Sequence, residues 1–173
     1  MGKETQQEYF LKLYKPIHDR FERFCRARVY GNMDYEDLMN DTLLIAYQKI
    51  NTLKSEKAFF SFLVGISIRV LANHNKKKKE DTLGELSQLT VSDVNANTSR
   101  DAEISMLYKA LSLLPDIQRE CIVLFEISGF SIKEIMEIQQ ASESAIKQRL
   151  KRARAKLKEI LSTNLITKEV TNG

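Results

Sequence analysis

Apolar residues recur at intervals of three and four along most of this chain, the spacing of one face of an α-helix. The first such run extends from Gln6 to Val29 and places Phe10, Leu13, Tyr14, Ile17, Phe21, Phe24 and Cys25 on one side. Gly31-Asn32 breaks it. A second helix is predicted to start at Asp34, a good N-cap, with Leu38, Thr42, Ile45, Ala46 and Ile50 on its apolar face. Asn51 to Lys57 is polar and predicts a loop. A third helix is predicted from Ala58 to Asn75, with Phe59, Phe62, Leu63, Ile66 and Val70 inward.

The periodicity then stops. Four consecutive lysines, Lys76 to Lys79, are followed by a stretch from Glu80 to Ser99 with four acids, no base and no aromatic. Such a segment has too little apolar area to offset the entropy of ordering it. Residues 80–100 therefore read as a linker, with at most one short helical turn at Leu83 to Leu89.

Helical patterning resumes at Asp101, where Ile104, Leu107, Tyr108 and Leu111 form a stripe. Pro115 ends that helix, and Asp116 is expected to cap the next, which runs to Ser128. Gly129 suits the position just past a helix end. Ser131 caps a short helix to Ile138, Gln139-Gln140-Ala141 form a turn, and Ser142 caps a long helix to Leu161. The tail from Ser162 is expected to fray. With six glycines and two prolines among 173 residues, breakers are sparse, and the pattern predicts an all-α protein of two small helical domains joined by a flexible linker. The expected boundaries are 6–79, 80–100 and 101–161.

Charge changes the picture at the C-terminal end. The net charge of +4 identifies no partner, but its distribution does. Ser131 to Lys156 has the form of a helix-turn-helix. In its second helix Ile146, Leu150, Ala153 and Leu157 mark the face that must pack inward. The opposite face holds Ser144, Lys147, Gln148, Lys151 and Arg152, a row suited to base edges in a major groove. Arg149, Arg154 and Lys156 lie to the sides, where phosphate contacts are natural. Between Ser142 and Lys158 only Glu143 is acidic. A basic surface helix alone would be unremarkable. The capped helix before it and the scarcity of acids favour DNA binding.

Other chemistries find little footing. Cys25 and Cys121 sit among apolar residues at helical spacing, read as buried thiols, and no Cys/His cluster has metal-ligand spacing. His18 and His74 each stand alone, the first read as a surface residue and the second as part of a nucleic-acid face. No phosphate loop or nucleophile elbow is present, so neither an enzyme nor a cofactor is expected. Met1 to Glu8 has no apolar core of a signal peptide, and no apolar run reaches the ~18 residues a membrane span needs. A cytoplasmic protein without membrane insertion is expected.

Three motifs in order carry a family resemblance. Ala110-Leu111-Ser112-Leu113-Leu114-Pro115-Asp116-Ile117-Gln118-Arg119-Glu120 resembles the opening of region four in extracytoplasmic-function sigma factors of RNA polymerase. Gly129-Phe130-Ser131-Ile132-Lys133-Glu134-Ile135 is similar to that family's Gly-x-Ser-x-x-Glu-Ile signature. Ala145 to Arg154 resembles its recognition helix. In the N-terminal half, Asp34 to Leu43 resembles the region-two helix that docks on the polymerase, and Phe59 to Ile66 the start of the promoter-melting helix. Departures are specific: Phe62 stands where the family usually has Trp, Ile68-Arg69 replaces a common Arg-Asn pair, Met136 replaces a small residue, and Gln140 occupies the usual turn glycine.

The resemblance implies a non-enzymatic subunit that binds core RNA polymerase, recognises promoter DNA and is held in check by an anti-sigma factor. It implies polymerase contacts at Asp37, Leu38, Asn40, Asp41 and Leu44. An acidic first helical turn also satisfies the helix dipole, so the acids alone do not establish docking. It implies minus-ten contacts at Lys54, Ser55, Ser61, Arg69, Asn73, Lys76 and Lys77, and minus-thirty-five contacts at Ser144, Lys147, Gln148, Arg149, Lys151, Arg152 and Arg154. Of Phe59, Phe60 and Phe62, at least two are expected in the core. A free-standing helix-turn-helix regulator and a purely protein-binding adaptor are the rival classes. The region-two resemblance weighs against the first and the basic last helix against the second.

Overall fold

Thr5 opens the first helix. Its side chain accepts from the Glu8 amide at 3.2 Å, and Glu8 accepts from the Thr5 amide at 2.8 Å, satisfying two of the helix's unpaired donors. The helix runs Gln6–Tyr14 (α1) and then tightens into a 3₁₀ turn at Lys15–Ile17 before resuming as His18–Val29 (α2). The single helix expected over Gln6 to Val29 is thus two, because Pro16 has no amide hydrogen to donate to the preceding turn. A computed structural model describes the backbone at residues 5–81 and 99–171 and the side chains at 5–80 and 99–163. Most of the expected linker, with its short turn at Leu83 to Leu89, lies outside the described residues.

Asp34 caps α3 (Tyr35–Gln48), accepting from the Glu36 amide at 2.9 Å. Two short 3₁₀ turns, Ile50–Thr52 and Glu56–Ala58, occupy the stretch expected as loop. α4 spans Phe59–Asp81, past the expected end at Asn75 and through all four lysines. Lysine is a good helix former, and a charge run is no stop signal.

α5 is Ser99–Ser112 and α6 is Asp116–Ile122. Pro115, with extended backbone, precedes α6 and no side chain caps it, so Asp116 is the first residue of the helix and not its cap. The last turn, Val123–Ile127, widens to a π-helix. Gly129 ends it with φ +73°, and the Phe130 amide reaches back to the Leu124 carbonyl at 3.0 Å. α7 (Ile132–Gln139) opens on Ser131, whose hydroxyl accepts from the Glu134 amide at 3.3 Å while Glu134 accepts from the Ser131 amide at 2.8 Å. α8 runs Glu143–Thr171, ten residues past its expected end. Ser162 and Thr163 are accommodated within it, their hydroxyls donating to the Lys158 and Glu159 carbonyls at 2.7 and 2.9 Å. No strand occurs among the described residues.

The chain divides into two units, Met1–Cys25 with Met33–Leu89, and Arg26–Asn32 with Thr90–Gly173. The first is built on the packing of α3 against α4. Its core holds Phe21, Phe24, Leu38, Phe59, Leu63 and Val64. Phe10 meets Tyr47 and Phe59 edge-on, with centroids 5.5 and 5.4 Å apart. Phe60 is buried as well, and the Arg20 guanidinium lies 3.9 Å over its ring.

In the second unit α8 packs on α5, α6 and α7. Ile146, Leu150 and Ala153 are buried with Leu111, Leu124 and Ile135, while Ile104 and Leu107 of the predicted stripe are exposed. Arg119 is 4% exposed and donates to the Ala27 and Tyr30 carbonyls at 2.9 and 3.2 Å. Ala27 lies in the last turn of α2 and Tyr30 just past it, where carbonyls lack helical donors.

The turn between α7 and α8 places Gln140 at φ +48°, ψ +51°, the left-handed region that costs a non-glycine residue ~1–2 kcal/mol. Its side chain recovers part of this by donating to the Glu137 carbonyl at 2.7 Å. Gln140→Gly is expected to raise the stability of the second unit by about 0.5–1 kcal/mol, the wider freedom of glycine in the unfolded chain limiting the gain. Ser131→Ala, which removes the hydroxyl that accepts from the Glu134 amide, is expected to lower it by about 1 kcal/mol. Urea midpoints that move in these opposite directions at constant slope support both assignments; equal midpoints contradict them.

Candidate nucleic-acid interface

α8 presents its basic residues because its apolar residues are taken. A buried Ile or Leu side chain is worth about 1.5–3 kcal/mol relative to an exposed one, more than an exposed ion pair offers, so Ile146 and Leu150 decide which way the helix turns. Ser142 fixes its start, its hydroxyl accepting from the Ala145 amide at 3.3 Å. Ser144, Lys147, Gln148, Lys151 and Arg152 are then all exposed on one side. Ser144 shares a hydrogen bond with Ser142 at 3.1 Å. The Lys147 ammonium meets the Glu143 carboxylate one turn earlier. That hydrogen bond, and then the ammonium charge, hold the Glu143 carboxyl below the usual carboxylate range.

Two of the predicted phosphate contacts have intramolecular work. Arg149 is half-buried and donates to Gln139 Oε1 at 2.8 Å. Gln139 in turn donates to Glu120 Oε1 at 3.0 Å, and Glu120 Oε2 pairs with Arg28 at 3.2 Å. This chain ties the end of α7 to the flank of α8 and so sets the helix-turn-helix angle. Arg28 and Glu120 are nearly buried, with side chains 8% and 11% exposed, and each depends on the other for compensation. Arg154 donates to Glu126 Oε1 through two nitrogens, at 2.9 and 2.7 Å, and its guanidinium lies 5.4 Å from the Phe125 ring centre. That pair is half exposed, so solvent screens it. The roles of Gln139, Glu120 and Glu126 were not visible in the sequence: their partners are 10 to 92 residues away and no spacing announces them.

The minus-ten candidates fall on the first unit. Lys54 and Ser55 are exposed in the stretch before α4, and Ser55 caps the short turn there by accepting from the Lys57 amide at 3.3 Å. Along α4, Ser61, Arg69 and Asn73 are spaced by eight and four residues, and Lys76 and Lys77 follow Asn73 by three and four, so the five share a stripe. Ser61 is half-buried and the other four are exposed. The lysines therefore extend the stripe on rigid helix, not on a loop. Phe59 and Phe60 are core residues and Phe62 is half-buried, which leaves at most one of the three as a stacking surface. His74 is half-buried on the same helix, and His18 is half-buried beside Tyr14 and Asp19.

On α3, Asp37, Asn40, Asp41 and Leu44 are exposed at helical spacing, and Leu44 is 60% exposed. Leu38 does not belong to this strip. It is fully buried with Thr42 and Ala46, one turn apart, on the face that meets α4.

Cys25 and Cys121 are free and buried. Burial pushes the Cys121 thiol from 9.0 up to about 11, the Arg149 charge pulling weakly the other way. No group of three or more His, Cys, Asp or Glu side chains that could hold a metal occurs among the described residues. No helix among them is long and apolar enough to cross a membrane.

Comparison with known proteins places this geometry. Residues 104–157 match the family described as Sigma-70, region 4. The chain is 30% identical over 135 residues to the ECF RNA polymerase sigma factor EcfG of Rhodopseudomonas palustris, a match covering 76% of this chain and 74% of that protein. It is 25% identical over 155 residues to ECF RNA polymerase sigma factor SigM of Mycobacterium tuberculosis, covering 88% and 76%. With ECF RNA polymerase sigma factor SigW of Bacillus subtilis it shares 26% over 176 residues, covering 92% of each. Among solved structures, the sigma factor RpoE in complex with the anti-sigma factor NepR from Bartonella quintana has the same fold. Its TM-score is 0.69 at 22% identity, over 90% of this chain and 98% of that one. CnrH in complex with the cytosolic domain of CnrY gives 0.63 at 24%, over 91% and 90%. An all-helical fold that ends in a helix-turn-helix of region-four type defines a DNA-binding transcription protein. The chain belongs to the ECF RNA polymerase sigma factors, a family without classical enzyme activity, and its role is in transcription initiation.

The buried thiol gives a pH test. A thiol whose folded value is raised contributes stability that is complete below 9.0 and is lost as pH climbs through about 11. Thermal melts are expected to fall over that window by more in the unaltered chain than in Cys121→Ala. Identical pH dependence in the two would contradict the burial assigned to this side chain.

Proposed function

We propose that this chain binds core RNA polymerase and directs it to promoters by reading the minus-thirty-five element with α8 and by capturing and opening the minus-ten element with α4. The observation that carries the reading is the division of α8 into a buried face and an exposed one. Ile146, Leu150 and Ala153 are sequestered, which leaves Ser144, Lys147, Gln148, Lys151 and Arg152 as a continuous outward row. The first turns of such a helix meet base edges in the major groove. Arg154 and Lys156 lie beside the row, where backbone phosphates run. Arg149, bound to Gln139, positions the helix as well as adding charge.

Opening a duplex needs groups that hold unpaired bases and track phosphates. The stripe Ser61, Arg69, Asn73, Lys76 and Lys77, with Lys54 and Ser55 at its head, supplies hydroxyl, amide and cationic groups on rigid backbone. The strip Asp37, Asn40, Asp41 and Leu44 is acidic with one prominent apolar side chain. It suits a basic, partly apolar surface of the polymerase. The work of such a subunit lies in the cytoplasm, with the polymerase and the chromosome. Two proteins of the same fold were solved in complex, one with the anti-sigma factor NepR and one with the cytosolic domain of CnrY, which supports control of this chain by an anti-sigma factor.

Run-off transcription tests the reading. Core polymerase with this chain is expected to give promoter-directed transcripts from genomic fragments that neither component gives alone. A chain that shifts the same DNA equally well without polymerase and yields no transcripts would contradict it. Within that assay Arg154→Ala is expected to weaken all promoters alike and to reduce the salt slope by less than about one, because Glu126 already holds part of its charge. Gln148→Ala is expected to cost about 1–3 kcal/mol on preferred promoters and to change the base preference.

A further inference from the structure

Glu143 stands where an acid is least expected. It is the only acidic residue between Ser142 and Lys158, a stretch with seven lysines and arginines. It occupies the first turn of α8, the part of a recognition helix that enters the groove. Its carboxylate engages Lys147, a member of the outward row, and both side chains are more than half exposed. Stabilising the helix N-terminus would account for an acid at this point but not for its consequence. A carboxylate carried into the major groove is repelled by phosphates and by every carbonyl edge it meets. It also neutralises one of the cations the helix needs.

Only two groups in the major groove reverse that cost, because only two donate: the N4 amino group of cytosine and the N6 amino group of adenine. Lys147 chooses between them. An ammonium beside the carboxylate seeks acceptors, and guanine offers two, O6 and N7, in the pair that contains cytosine. We infer that Glu143 and Lys147 act as a couple that reads a cytosine–guanine pair in the minus-thirty-five element. Glu143 accepts from cytosine N4 and rejects bases that present a carbonyl in its place. The inference rests on the proposed reading of α8 as the minus-thirty-five helix and adds the base class that one end of it requires. The exclusion matters as much as the contact, since a lone cation at this position would bind most sequences.

The test uses the full chain with core polymerase and a library of promoters randomised through the minus-thirty-five element, with the minus-ten element held constant. Bound molecules are sequenced for the unaltered chain, Glu143→Ala and Glu143→Gln, after circular dichroism has matched their helix content. The unaltered chain is expected to favour cytosine at one position by about tenfold. Glu143→Ala is expected to reduce that preference to about twofold or less while strengthening binding to the disfavoured promoters, because the repulsion and the neutralised charge are both gone. Glu143→Gln is expected to move the preference towards adenine, whose N6 and N7 match an amide. A preference profile unchanged at every position in Glu143→Ala overturns the inference. If Gln148→Ala nevertheless alters the profile, the reading of α8 stands without it. An unaltered chain with no base preference anywhere in the element overturns both.

Discussion

The burial of Ile146, Leu150 and Ala153 beneath α8 is the constraint on which the exposed basic row of that helix depends. A helix with seven basic residues between Ser142 and Lys158 could present any of them to a ligand. Packing that apolar stripe against α5, α6 and α7 removes the choice. The caps at Ser131 and Ser142 and the left-handed residue at Gln140 then set where each helix begins and how sharply the chain turns between them. None of these features touches DNA, yet together they place the side chains that would. The hydrogen-bonded series Arg28, Glu120, Gln139 and Arg149 adds a polar brace to the same corner. Its inner members are shielded from water, so each is costly to leave unpartnered.

Much of this was legible in the sequence, for identifiable reasons. Side chains at three- and four-residue spacing gave the helices, since a strong 3.6-residue period has few other readings. Asp34, Ser131 and Ser142 marked helix starts because their oxygens accept from backbone amides nearby in the chain. Of the inward face expected for α8, Ile146, Leu150 and Ala153 are buried and Leu157 is half-buried. The errors lie where local and distant effects compete. Pro16 splits the first helix by a local rule that the apolar pattern overrode. The ends of α4 and α8 lie beyond their expected positions because neither the change of composition at Lys76 nor the polar tail from Ser162 is a stop. In the structure the lysines prolong α4, and Ser162 and Thr163 bond back to the preceding turn of α8. The π-helical turn at Val123–Ile127 has no sequence signal that periodicity detects.

The candidate sites were legible as surfaces, less so as individual contacts. Spacing placed Asp37, Asn40, Asp41 and Leu44 on one exposed strip, while Leu38, which the resemblance grouped with them, is buried on the apolar face where spacing had put it. The outward row of α8 followed from its inward face. What remained hidden were the side chains that hold arginines in place. Gln139 and Glu126 find Arg149 and Arg154 through the fold, so charge counting along the helix overstated how many cations stand ready for phosphates. Glu143 shows the reverse: a residue visible as an exception in composition whose chemistry emerged once its ammonium partner was seen.

The central claim is that the outward row of α8 lies against duplex promoter DNA when polymerase is bound. It is tested most directly by attaching a short photo-cross-linker at position Lys151 and irradiating the assembled promoter complex. Attachment to DNA bases within the minus-thirty-five element is the predicted result. Attachment only to protein, in a complex shown to be active, would contradict the account.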